Sequence, residues 1–217
     1  MNELALSGIS KPVVLCLGAH CDDIEIGCGG TLLHLGDSLQ GALLHCVVFT
    51  SDDVREAETR AALTAFSADW ASVDIVTHKF HNGYFPFVGA EIKDAFEELK
   101  SVVEPDLIFT HCREDRHQDH RLISDLTWNT FRDHLILEYE IPKYDGDLGK
   151  PNAYIEISQA FADTKVDCLQ RCFKSQHDKP WFKPETFKAL MRLRSIECNA
   201  QSGFAEAYYS RKAKILF

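Results

Sequence analysis

No segment of this 217-residue chain approaches the ~20 consecutive apolar residues that a membrane-spanning helix needs. The N-terminal stretch MNELALSGISKPVVLCLGAH also lacks the basic region and long apolar core of a secretory signal. We therefore expect a cytoplasmic protein with no membrane span. Positive charge is in short supply: 23 Lys and Arg stand against 33 Asp and Glu, for a formal net charge of −10. A phosphate backbone meets repulsion from such a surface, which argues against a nucleic-acid partner. The eight cysteines include no CxxC pair, so neither a thiolate zinc knot nor a disulfide framework is indicated, and reduced thiols serving as small buried hydrophobes are expected. Internal repeats and low-complexity tracts are missing too, which excludes a solenoid or an array.

What is present is a hydrophobic fraction of 45%, enough for one substantial core and a single domain over 1–217. Pro12 to Leu17 and Ala42 to Phe49 are continuous apolar runs rich in β-branched residues, as in strands covered on both faces. Asp74 to His78, Leu107 to Thr110, Leu135 to Tyr139 and Tyr154 to Ile157 are further strand segments. Helical spacing marks Ile24 to Leu35, Val54 to Phe66, Ile92 to Val103, Asp119 to Phe131, Phe161 to Phe173 and Pro184 to Glu197. Pro142 to Asn152 is the clearest loop. Strands alternating with helices predict an α/β fold, a mostly parallel sheet with helices on both faces. In the strand order 3-2-1-4, the first and fourth strands are neighbours, and ligands bind beyond their carboxyl ends.

Two polar clusters fall at those ends. His20-Cys21-Asp22-Asp23 follows strand one, and His117-Gln118-Asp119-His120 follows strand four. A catalytic zinc takes three His or carboxylate ligands and keeps one position open. His20 and Asp23 are spaced to aim at one ion, and His120 completes the set from the adjoining strand. Asp22, beside a ligand, is placed to act as general base toward the attacking water. His117, with Asp119 to orient it, becomes an acid or an oxyanion stabiliser. Zn2+ suits this donor set best, although iron, cobalt and manganese are accommodated by the same ligands.

The glycines Gly27, Gly29 and Gly30 do not form GxGxxG directly after a strand, so a dinucleotide loop is ranked low and close helix–sheet packing is preferred. Arg55, opening the helix after strand two, is a candidate substrate contact, with an ion pair to Glu58 as the alternative. Tyr84 and Phe85 in the loop HNGYFPF are candidates for a sugar-stacking wall, with burial in the core as the alternative. Arg113, Arg116, Gln176 and Glu206 are weaker candidates.

The segments AHCDDIEIGCGGTL and RHQDH, together with REAETRAAL, PDLIFTH, the SQ at Ser175 and Gln176 and FAEAYY around Glu206, resemble the LmbE-like, or PIG-L, deacetylases. That resemblance implies a Rossmann-like fold and metal-dependent removal of an N-acyl group from an amino sugar. It implies His20, Asp23 and His120 as metal ligands, Asp22 as base, and His117 with Asp119 as the assisting pair. Cys21 stands where the family pattern has proline, so a looser loop, a fourth ligand or an oxidation site enters beside the simpler reading that its thiol faces away. The expected partner is a small N-acetylated amino sugar or conjugate, and a homo-oligomer is compatible with everything above. Two other readings stand beside this one: a non-catalytic metal- or sugar-binding protein of the same fold, and an amidase acting on a thiol-sugar conjugate.

Overall fold

The structure is a computed structural model and describes residues 11–213. Seven strands form one sheet in the order β3-β2-β1-β4-β5-β7-β6. They are β1 (Val13–His20), β2 (Leu43–Thr50), β3 (Ser72–Thr77), β4 (Leu107–His111), β5 (Leu135–Tyr139), β6 (Ala153–Glu156) and β7 (Ala205–Ser210). The helices are α1 (Asp23–Ser38), α2 (Asp53–Phe66), α3 (Gly89–Val102), α4 (Gln118–Thr130), α5 (Gln159–Cys172) and α6 (Pro184–Cys198). β1 to β5 pair in parallel, whereas β7 runs antiparallel to both of its neighbours. The expected α/β class and the 3-2-1-4 order are both present.

Alternation along β1 builds two cores. Val14 and Cys16 face a layer containing Ile24 and Leu32 of α1, Leu63 and Phe66 of α2, Leu169 of α5 and Met191 of α6. Leu15, Leu17 and Ala19 face the other way, onto Ile92 and Phe96 of α3 and Ile123 of α4. Each residue from Val14 to Ala19 is therefore buried whichever way it points, which is why β1 reads as an unbroken apolar run.

Three local expectations need correction. β1 does not end with the apolar run at Leu17 but pairs with β2 as far as His20 opposite Thr50. Gly18 is needed because the chain folds back there: a Cβ would lie 3.1 Å from Ile24 and 3.3 Å from Asp23. The GCGG segment lies inside α1, but the helix is broken at Cys28 (φ −142°, ψ 15°). β7 was not anticipated as a strand at all, because the short segment AEAYYS carries a glutamate as its second residue.

The α1 glycines do serve close packing. A Cβ on Gly27 would sit 2.3 Å from the Tyr139 ring, one on Gly29 3.0 Å from Phe66, and one on Gly30 2.5 Å from Ile157. Tyr139 is fully buried, and its hydroxyl donates to the Leu17 carbonyl at 2.7 Å, so the ring has nowhere to retreat. Gly27→Ala is accordingly expected to destabilise the fold by about 1–3 kcal/mol or more, as overpacked cores do. A urea midpoint equal to that of the wild type would show that α1 can move away from Tyr139.

Candidate active site and metal centre

The carboxyl ends of β1 and β4 converge on a group of buried histidines and carboxylates. His20 ends β1, and Asp23 opens α1 one short turn later. The two are tied by the His20 backbone N–H, which donates to Asp23 Oδ2 at 2.6 Å. His20 Nδ1 lies 3.2 Å from Asp23 Oδ2 and 3.0 Å from His120 Nε2, and His120 Nε2 lies 3.5 Å from Asp23 Oδ1. Three ligands around a tetrahedral zinc at about 2.0–2.2 Å are separated by roughly 3.3–3.6 Å, slightly wider than the 3.0–3.5 Å here. The donor atoms are thus already gathered at a spacing that suits one ion.

Hydrogen bonds assign which ring atoms would be left to bind an ion. His120 Nδ1 bonds to Asp115 Oδ2 at 2.9 Å, leaving Nε2 as the free lone pair. His20 Nε2 lies 3.3 Å from Asp119 Oδ2, leaving Nδ1. A carboxylate behind each imidazole is the arrangement that fixes ligand tautomer and ring orientation in metal sites. Burial drives His120 down to about 3, with His111 adding to the effect, so its ring is neutral at physiological pH. Burial also opposes charge on His20, but Asp23 and Asp119 outweigh it and hold the ring up to about 10. The carboxylates therefore create a field that demands a cation at this point, whether a proton or a metal ion.

His111, the last residue of β4, was not singled out by sequence reasoning. It is fully buried, stacks on His120 at 3.9 Å between centroids, accepts the Ala19 N–H at 2.9 Å and lies 3.2 Å from Asp23. Asp23, His111 and His120 bring their donor atoms within 4.8 Å of one another, as do His20, His117 and His120, although the His111 Nε2 lone pair is already engaged by the Ala19 N–H. His120 is common to both sets and to the triad. Asp115, likewise unanticipated, holds His120 with Oδ2, accepts the His117 N–H with Oδ1 at 2.7 Å and is held in turn by Lys143 at 2.9 Å. The only sequence signal for either residue is a polar side chain near the end of a buried strand, which is too common to act on.

Asp22 sits in the left-handed region (φ 104°) at the turn between β1 and α1. Burial raises its carboxyl to about 6, with Arg55 opposing and Asp23 reinforcing the shift. Arg55 Nη2 is 3.1 Å from Asp22 Oδ1 and also donates to the Cys21 carbonyl. Its Nε lies 3.8 Å from Glu58 without a hydrogen bond. Arg55 therefore braces the Asp22 loop before it contacts anything else.

The Asp119 carboxylate departs from its anticipated job. It accepts the Gly83 and Phe85 backbone N–H groups at 2.6 and 3.2 Å besides meeting His20, and makes no side-chain bond to His117. His117 caps α4, its Nδ1 accepting the Asp119 backbone N–H at 3.3 Å. Burial and the neighbouring His20 charge lower its pKa. A neutral His117 that accepts at Nδ1 carries its proton on Nε2, and is an N–H donor and not an imidazolium.

The HNGYFPF loop divides. Phe85 is fully buried and stacks 6.2 Å from His20, whereas Tyr84 is exposed. The Cys21 thiol turns into the core and donates to the Thr50 carbonyl at 3.5 Å, and burial pushes its pKa far up. A nucleophilic or metal-ligating thiolate is not what that environment produces. Of the weaker candidates, Arg113 pairs with Glu138 at 3.1 Å, Gln176 is buried, and Glu206 is buried in an ion pair with Lys165.

The PIG-L family, described as GlcNAc-PI de-N-acetylase, matches residues 15–131. The match covers over half the chain and every side chain of the cluster. The uncharacterized deacetylase YaiS of Escherichia coli strain K12 is 29% identical over 179 residues, 78% of this chain and 95% of that protein. N,N'-diacetylchitobiose deacetylase from Pyrococcus horikoshii has TM-score 0.66 and 18% identity, covering 90% of this chain and 82% of its own. GalB, the 4-carboxy-2-hydroxymuconate hydratase of Pseudomonas putida KT2440, has TM-score 0.73 and 14% identity, covering 95% and 98%. A hydratase and a deacetylase share this architecture, so the fold alone does not select the reaction. The family match does more: the chain belongs to the PIG-L family of de-N-acetylases.

Proposed function

We propose that the protein is a zinc-dependent hydrolase that removes the N-acetyl group from an amino sugar or amino-sugar conjugate. The observation that carries this reading is the convergence of His20 Nδ1, His120 Nε2 and the Asp23 carboxylate at 3.0–3.5 Å, with Asp22 beside them. His20, Asp23 and His120 would hold the ion, which when bound supplies Lewis acidity to the acyl carbonyl and to water.

The chain's own groups do the rest. Asp22, with its carboxyl near 6, is ionised at neutral pH yet basic enough to take a proton as water attacks the amide carbon. The His117 Nε2–H donates to the carbonyl oxygen as negative charge develops there. Asp22 then returns its proton to the amine as the C–N bond breaks, so that acetate and the free amino sugar leave. Arg55 keeps the Asp22 loop in register through the Cys21 carbonyl.

The direct experiment measures acetate release from a panel of N-acetylated amino sugars by zinc-loaded and chelator-stripped protein. Release that depends on restored metal is expected. Equal rates in both preparations remove the metal, and no release from any substrate by loaded protein removes the hydrolase. A second outcome concerns the carboxylate behind His120. Asp115→Asn is expected to weaken zinc binding by roughly 10–100-fold in a chelator competition, the usual loss when a supporting carboxylate is removed. An unchanged affinity would assign the ion to ligands that Asp115 does not orient.

A further inference from the structure

The carboxylate behind His120 is shared between two positive or donating groups. Asp115 Oδ2 meets His120 Nδ1 at 2.9 Å and Lys143 Nζ also at 2.9 Å, while Oδ1 accepts the His117 N–H at 2.7 Å. Lys143 belongs to the loop between β5 and β6. Its ammonium donates to Asp147 Oδ2 at 2.6 Å, the same oxygen that accepts the Arg116 N–H at 2.7 Å. The side chains of Asp115, Lys143 and Asp147 are only 4%, 8% and 7% exposed, so water and salt screen these charges little. With Cys112 and Tyr209 they line one small cavity.

Sharing the oxygen has a sign. A carboxylate behind a ligating imidazole raises the basicity of the ring and strengthens its hold on a cation. An ammonium against the same oxygen offsets part of that negative charge and repels any cation at His120 Nε2. Asp147 opposes this by neutralising Lys143 from its other side. Loss of the ammonium does not release Asp115, because the His117 N–H and the His120 ring still hold its two oxygens. The charge of Lys143 is therefore separable from its role as a tether.

We propose that Lys143 is a positioning residue for the cation site: acting through Asp115, it holds the grip of His120 on an ion below what Asp115 alone would give, and Asp147 sets by how much. A less basic His120 donates less to the ion and leaves it the stronger Lewis acid. This rests on the reading of His20, Asp23 and His120 as metal ligands and is independent of the substrate.

Zinc affinity, measured by chelator competition, tests this, with thermal unfolding of each metal-free protein to show that it is folded. Lys143→Met keeps the length of the side chain and loses its charge, and is expected to bind zinc about tenfold more tightly than the wild type. Lys143→Arg keeps the charge and is expected to stay within about twofold. Asp147→Asn still accepts the Arg116 N–H but no longer neutralises Lys143, and is expected to bind about threefold more weakly. A tether alone would move Lys143→Met and Asp147→Asn in the same direction. That result, or an unchanged affinity in Lys143→Met, overturns the proposal and leaves the ligands in place. If Lys143→Met does not fold, Asp147→Asn decides, and an affinity equal to or above that of the wild type overturns the proposal. His120→Ala controls for the site: wild-type affinity in that variant, or no zinc bound by the wild type, overturns the ligand assignment and the proposal with it.

Discussion

Asp22→Asn is expected to lower kcat by about 10²–10⁴-fold, the range a positioned general base contributes, while the protein keeps its bound metal. The substitution is clean for a structural reason. Asp22 holds φ 104°, a conformation that asparagine tolerates better than most side chains. The Asn oxygen still accepts from Arg55, which otherwise lies against Asp22 Oδ1 at 3.1 Å, so the loop keeps its brace. What disappears is the group proposed to take the proton. Wild-type activity should fall as the pH drops through about 6 or below, because a protonated Asp22 cannot act as base and a cation held by Asp23 lowers its pKa further. Metal content by elemental analysis, with a pH–rate profile for both proteins, checks this. Turnover within threefold of the wild type, at full metal occupancy, would remove Asp22 from its role.

Glu206→Ala is expected to produce the largest loss of stability. The break in α1 at Cys28 leaves the Gly30 and Thr31 N–H groups without helical partners. Glu206 of β7 accepts both, at 2.9 and 2.8 Å, and also meets Lys165 Nζ at 2.5 Å and the Tyr208 hydroxyl at 3.0 Å. Lys165 is itself buried and donates to the Ile26 carbonyl. Removing one member of such a buried pair typically destabilises by about 3–5 kcal/mol, because the remaining charge is uncompensated, and orphaned backbone donors add about 1–3 kcal/mol each. Against a total stability of about 5–15 kcal/mol, the variant should unfold at far lower urea or fail to accumulate.

Glu206→Gln separates the contributions, since it retains an acceptor for the α1 donors and loses only the charge. Lys165→Met combined with Glu206→Gln should recover part of the loss if the stranded ammonium dominates. A Glu206→Ala protein within about 1 kcal/mol of the wild type would mean that water replaces the carboxylate without penalty.

Much of the molecule is legible from local pattern, for a simple physical reason. A parallel strand buried on both faces must be apolar throughout, and a covering helix must show 3.6-residue spacing, so β1, β2, β4 and the helices announce themselves. Once that alternation is recognised, the switch point between β1 and β4 follows. The segments AHCDD and RHQDH then fall at one sheet edge although about a hundred positions separate them. The donor atoms of His20, Asp23 and His120 do meet there, within 3.5 Å.

The remainder depended on contacts between distant segments. The glutamate that makes AEAYYS an unconvincing strand is the cap for the broken α1, a partnership across 176 positions. Phe85 and Tyr84 are adjacent in sequence yet one packs against His20 and the other faces solvent, a difference imposed by the Asp119 tether on Gly83 and Phe85. The same tether gave Asp119 to His20 and left His117 to accept the Asp119 backbone N–H as the cap of α4. His111 and Asp115 owe their importance to touching His120. Sequence by itself determined the architecture, the edge that bears the site and the chemical types gathered there, because those follow from periodicity and strand-end placement. Only the tertiary structure decided which carboxylate orients which imidazole, where Cys21 points and which aromatics remain outside, because each of these is settled by what lies opposite in space.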